Sequence, residues 1–158
     1  MNDIPITITM LVGGHQPNNP LVIHNQAVSF YLAGHRCSLE IPTGPKTVQC
    51  LPIPAVANFV FSIELFLKSI LVKSKNNKKG HKIRDLVNAC PTEIISQIRI
   101  EYEKSRKEPS FDKIIDIVND MFVKARYLYE YDVNIMYESA IIVLARSSYV
   151  VCDKLHKK

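Results

Sequence analysis

Residues 55–68 read Ala55-Val-Ala-Asn-Phe-Val-Phe-Ser-Ile-Glu64-Leu-Phe-Leu-Lys68, and this run decides the fold. On a helix turning about 100° per residue, with Val56 at zero, Asn58, Ser62, Ser69 and Lys73 fall on one stripe at about 200–260°. That stripe is expected to face solvent. Glu64, at about 80°, and Lys68, at about 120°, share the arc of Ala57, Val60, Phe61 and Leu71. A carboxylate in the middle of an apolar face is costly unless it is paired or takes up a proton. Lys68, four residues on, is the nearest partner, and another helix can supply a second. The pair reads either as a polar network inside a helix bundle or as the lining of a cleft.

The pattern around this run is helical throughout. The Glu64 helix is expected from about Pro54 to Lys75, ended by the basic Asn/Gly turn at 76–80. Before it, a helix is predicted over Leu21–Ala33 with Gly34 as its stop. Residues 41–54, with four prolines and a glycine, read as an extended connector. After it come a short helix over 81–90 stopped by Pro91, and a helix from a Thr92 cap to Lys107. Two more follow, over 111–131 and 134–155. Ala140–Ala145 is apolar without a break, so the last helix is central in the bundle or covered by a second subunit. Residues 4–12 are β-prone without an evident partner strand. The expectation is an all-α, up-down bundle of five or six helices over 21–158, with an extended N-terminal arm over 1–20.

Composition fits one globular domain. The chain has 158 residues, 47% of them apolar and 22% charged, which excludes disordered and fibrous classes. Cys37, Cys50, Cys90 and Cys152 form no C-x-x-C pair, so reduced thiols are expected. His35-x-Cys37, with His24 or Cys50, matches no standard zinc spacing, and no metal or other cofactor is expected. The first residues hold Asp3 and Pro5 and no basic n-region, and the last helix has no uncharged stretch of membrane length. A cytoplasmic protein without membrane contact is expected.

The net charge is +5, but the basic character is local. Lys73, Lys75, Lys78, Lys79, Lys82 and Arg84 occur in twelve residues without an acid, whereas 101–138 holds nine of the fifteen acids. Such a run suits a phosphate backbone or is simply a solvated loop. His81 directly follows this turn at a helix start, where a histidine either caps the helix or serves as acid and base near neutral pH. Arg126, on the edge of the apolar arc of 111–131, is followed by Tyr127 and Glu130. An arginine there can grip a carboxylate, Glu64 or Glu130, or a phosphate. No Gly-rich phosphate loop, G-x-S-x-G or H-E-x-x-H motif occurs.

Three of these segments together resemble HEPN-domain proteins. The 55–68 run is similar to the second helix of that superfamily. Gly80-His81-Lys-Ile-Arg-Asp-Leu86 resembles a Gly-His-x-Leu-x-x-Leu step in one of its branches. Phe122-Val-Lys-Ala-Arg126-Tyr127-Leu-Tyr-Glu130 resembles the Arg-Tyr-x-x-Glu run of the same branch. The resemblance spans about 55–130. It implies an all-α bundle that dimerises, in prokaryotic defence or toxin–antitoxin systems, with many members acting as metal-independent RNases. Their signature is an Arg and a His with four to six residues between them. In that pair the His moves the proton of a 2′-hydroxyl or leaving group and the Arg stabilises phosphate charge.

This chain departs from that signature. The positions after Arg126 hold Tyr131, Asp132 and Val133, and Arg146 reaches His156 only after nine intervening residues. What carries over is the set Glu64, Lys68, His81, Arg126, Tyr127 and Glu130. Three functions follow. In the first, a homodimer is directed at RNA or a nucleotide, with His81 as acid/base, Arg126 on the phosphate, Glu64 as orienter, and Lys75, Lys78, Lys79, Lys82 and Arg84 guiding RNA. In the second, a non-catalytic module binds RNA, a nucleotide or a partner protein such as an antitoxin. In the third, a structural dimer uses the polar residues only to hold helices together.

Overall fold

A computed structural model of the chain describes residues 18–76, 78–119, 121 and 137–157. Among these residues the elements run α1 (Pro20–Cys37), β1 (Ile41–Gly44), β2 (Thr47–Gln49), α2 (Pro52–Lys73), α3 (Ile83–Ala89), α4 (Thr92–Ser105), α5 (Phe111–Val118) and α6 (Glu138–His156). The fold is an all-α bundle. Residues 1–17 of the expected 1–20 arm and most of 120–136, Arg126, Tyr127 and Glu130 included, lie outside the described residues.

The apolar density of 52–73 places α2 at the centre. Helices α1, α3 and α6 pack against it, and α6 also meets α4 and α5. Phe59, Phe66, Ile63, Ile70 and Leu71 of α2 are buried, as are Ile141 and Leu144 of α6. The last helix is therefore central within the chain itself. By length and composition α2 could cross a membrane, with mean hydropathy 1.8, but 72% of that stretch is buried in the bundle, as in the core helix of a soluble protein.

Central position corrects the expected solvent stripe of α2. Ser62 and Ser69 are buried, because helices cover that side as well. Each hydroxyl is satisfied by a backbone carbonyl. Ser62 donates to the Phe59 carbonyl at 2.7 Å, and Ser69 to the Pro20 carbonyl at 2.7 Å. Buried hydroxyls of this kind are tolerated because they leave no orphaned polar atom.

Gly34 does not stop α1, which runs on to Cys37. The glycine is there for close packing. A Cβ at position 34 would lie 2.8 Å from Cδ1 and Cε1 of the fully buried Phe59. Gly34→Val is expected to lower the unfolding free energy by about 1–3 kcal/mol through overpacking, measured by urea denaturation. An unchanged midpoint would show that the Phe59 ring yields without cost.

Two more expectations change. Within the proposed connector, Ile41–Gly44 and Thr47–Gln49 form an antiparallel hairpin, pairing Ile41 with Gln49 and Pro42 with Val48. Pro42 is compatible with a strand because this two-stranded sheet consists only of edges. Thr92 is the first residue of α4 rather than its cap, and Pro91 holds the cap position. Helices α1 and α5 do follow the side-chain rule: Asn19 Oδ1 accepts from the amides of Leu21 and Val22, and Ser110 Oγ from that of Lys113.

Candidate functional site

The apolar face of α2 carries one charge at its middle. Glu64 is 1% exposed, and its Oε1 accepts from Lys68 Nζ at 2.7 Å and from His81 Nδ1 at 2.8 Å. An ionised carboxylate only accepts, so His81 donates through Nδ1, and the tautomer this selects for a neutral ring has Nε2 as its acceptor. Glu64 Oε2 is buried with no hydrogen-bond partner among the described residues. Both donors thus converge on one oxygen.

The turn after α2 brings His81 back to this point. Lys75, at φ 58°, and Gly80, at φ 122°, are both left-handed and reverse the chain twice. Asn76 fixes the turn between them. Its Nδ2 donates to the Ala89 carbonyl at 3.0 Å, and its Oδ1 accepts from the Lys78 amide at 3.1 Å. His81 consequently precedes α3, one residue before the cap position at Lys82, and its side chain is 75% exposed. Its buried end meets Glu64 and the rest of the ring faces solvent.

A cleft of about 320 Å³ opens at this ring. Asn18 and Ile23 line it from the start of α1, Lys68, Leu71 and Val72 from α2, and Asn76, Lys78, Lys79, Gly80 and His81 from the turn. Three ammonium groups, two side-chain amides and an imidazole surround it, with one buried carboxylate behind. Such a cleft favours an anion with an apolar body beside it.

The expected basic run is divided by the fold. Lys78 and Lys79 line the cleft; Lys75 and Lys82 are exposed outside it. Lys73 Nζ donates to the Leu155 carbonyl. Arg84, expected among the RNA-guiding residues, is paired with α5. It bonds Asp116 Oδ1 through Nε at 3.0 Å and the Asp112 carbonyl through a second nitrogen at 2.8 Å. Arg99 grips the other side of Asp112, at 2.8 and 3.1 Å. The hydrogen bond from Arg99, with help from Arg84, holds the Asp112 carboxyl below its usual range. The two arginines thus join α3 and α4 to α5.

Sequence reasoning placed Glu64, Lys68 and His81 together, and the structure brings these three into contact. It missed Asn18 and Asn76. The Lys-Asn-Asn-Lys-Lys-Gly turn carried the signal for Asn76, since asparagine side chains stabilise such turns. Arg126, Tyr127 and Glu130 were assigned to the same site and lie outside the described residues.

The fold is thus a helical bundle with a polar, basic cleft at a Gly-His step. Residues 55–150 match the HEPN domain family, and the chain belongs to it. No curated protein and no solved structure matches the chain.

Proposed function

We propose that this HEPN protein acts on RNA, or on a nucleotide of the same chemistry, at the His81 cleft, as a metal-independent endoribonuclease of a prokaryotic defence or toxin–antitoxin system. The observation that carries the reading is the Glu64–His81 pair at 2.8 Å at the mouth of a lysine-lined cleft. A buried carboxylate on Nδ1 fixes the ring and its tautomer and stabilises the imidazolium once formed. Nε2 then takes the proton of a 2′-hydroxyl. The 2′-oxygen bonds to the adjacent phosphorus and the bond to the 5′-oxygen breaks. That oxygen leaves with a proton from solvent, giving a 2′,3′-cyclic phosphate and a 5′-hydroxyl end. Lys68, Lys78 and Lys79 offset phosphate charge, Arg126 is assigned to the phosphate, and Tyr127 and Glu130 flank it.

Homodimerisation belongs to the same proposal. Ile41 and Val48 of the hairpin, with Leu39, Leu51 and Ile53 beside it, are large apolar side chains left exposed, and a second copy would cover them.

The test is labelled single-stranded RNA incubated with the purified chain in EDTA. Cutting with cyclic phosphate ends is the expected result. Lys78→Glu with Lys79→Glu is expected to weaken RNA binding roughly tenfold or more and to flatten its salt dependence. Binding with that same lysine dependence but no cutting would favour the second reading, a non-catalytic binding module. The missing Arg–His spacing speaks for that reading. RNA neither bound nor cut by the folded protein overturns both.

A further inference from the structure

Away from the cleft, three metal-ligating side chains from the two ends of the chain meet in the core. His24 of α1 and Cys152 and His156 of α6 each place one ligand atom within 4.8 Å of the others. His24 is 5% exposed and Cys152 fully buried. Among the described residues the buried His24 Nδ1 has no hydrogen-bond partner, so a ring more than nine-tenths inside the protein carries an orphaned nitrogen there. Its other nitrogen, Nε2, faces Asp153 Oδ1 at 3.8 Å. His156 Nε2 meets the Ser69 hydroxyl at 2.8 Å, and the Cys152 thiol points at the Phe66 carbonyl at 3.8 Å.

We propose that His24, Cys152 and His156 form a binding site for a borderline divalent transition metal ion of the zinc type, with Asp153 supporting His24 from behind. Two imidazoles and a thiolate select zinc or cobalt over hard magnesium or calcium ions. A carboxylate behind a ligating histidine is the usual second support in zinc sites. Tetrahedral zinc needs ligand atoms about 3.3–3.6 Å apart, so the cluster has to contract by about an ångström. The partly exposed His156, at the last turn of α6, is free to make that move by releasing Ser69. Cys152 and His156 are four residues apart and share one helix face. Binding releases the thiol proton to solvent as the metal–sulfur bond forms. The ion would tie the start of α1 to the end of α6. Ile23, next to His24, is a wall residue of the cleft, so the site also braces that wall.

The test titrates cobalt chloride, and then zinc sulfate, into the untagged full chain carrying Cys37→Ser and Cys50→Ser, which removes the two thiols outside the core. One cobalt per chain is expected, with a sulfur-to-cobalt charge-transfer band and the intense visible absorption of tetrahedral cobalt, both displaced by zinc. At zinc a hundredfold above Kd, Tm is expected to rise by roughly 5–10 °C. Cys152→Ser should abolish the sulfur band, and His156→Ala, at a partly exposed position, should weaken binding at least roughly tenfold. Asp153→Asn should weaken it about 10–100-fold. Absence of the sulfur band in the background chain overturns the proposal. So does an equal Tm rise in folded Cys152→Ser and His156→Ala, which would mean an adventitious ion only.

Discussion

Lys68→Met combined with His81→Ala is expected to lower the unfolding free energy by about 3–5 kcal/mol, the cost of a buried charge left without a partner. Glu64 is 1% exposed, and Lys68 and His81 are its only hydrogen-bond partners among the described residues, both on Oε1. The single changes are milder. His81→Ala leaves the ammonium at 2.7 Å, and with its ring 75% exposed its loss costs within about 0.5 kcal/mol. Lys68→Met leaves one donor on a buried carboxylate and costs about 1–3 kcal/mol. The double variant therefore loses more than the sum, as expected for residues sharing one partner. Adding Glu64→Leu removes the stranded charge and is expected to restore stability to within about 1 kcal/mol, since an apolar group at such a site is often neutral or better. Urea denaturation of the four proteins measures this. A double variant as stable as Lys68→Met alone would sink the argument and place a third donor on Glu64, for which Arg126 is the candidate in the sequence.

The Glu64–Lys68 pair was legible because it breaks a local rule. Two charges on the apolar arc of a helix demand each other, and the spacing of four residues supplies the contact. The pairing of Glu64 with His81 was only half legible, since it depends on where the left-handed residues Lys75 and Gly80 send the chain. The periodicity argument failed at Ser62 and Ser69 because it assumes one wet side, and α2 has none there. Gly34 has the residue type of a helix stop, but its role is set by a ring 25 residues later that no local pattern announces. Arg84 belongs by sequence to a basic run, yet in space to Asp112 and Asp116. The His24, Cys152 and His156 cluster joins residues about 130 positions apart. Only the four-residue step from Cys152 to His156 is local, and the ligand spacing weighed from the sequence lies between His24 and Cys50.

The largest effect on activity is expected at the Glu64–His81 pair. On the proposed reaction His81→Ala lowers the cleavage rate by about 10²–10⁴-fold, the usual contribution of a positioned acid/base. Glu64 touches no substrate; it is a positioning residue that holds the His81 proton on Nδ1. Glu64→Gln keeps the shape and can still accept from Lys68, but it carries no charge to stabilise an imidazolium. It is therefore expected to lower kcat by at least about 10²-fold with KM changed by less than about threefold. The double variant should be no slower than His81→Ala alone, because the carboxylate acts only through the ring. A merely structural Glu64 predicts a different split: Glu64→Gln would lower Tm and leave kcat of the folded fraction intact. Single-turnover cleavage in EDTA, corrected for folded protein, separates the two. Cleavage that persists in His81→Ala would remove the imidazole from the chemistry and leave the lysine-lined cleft as a binding site.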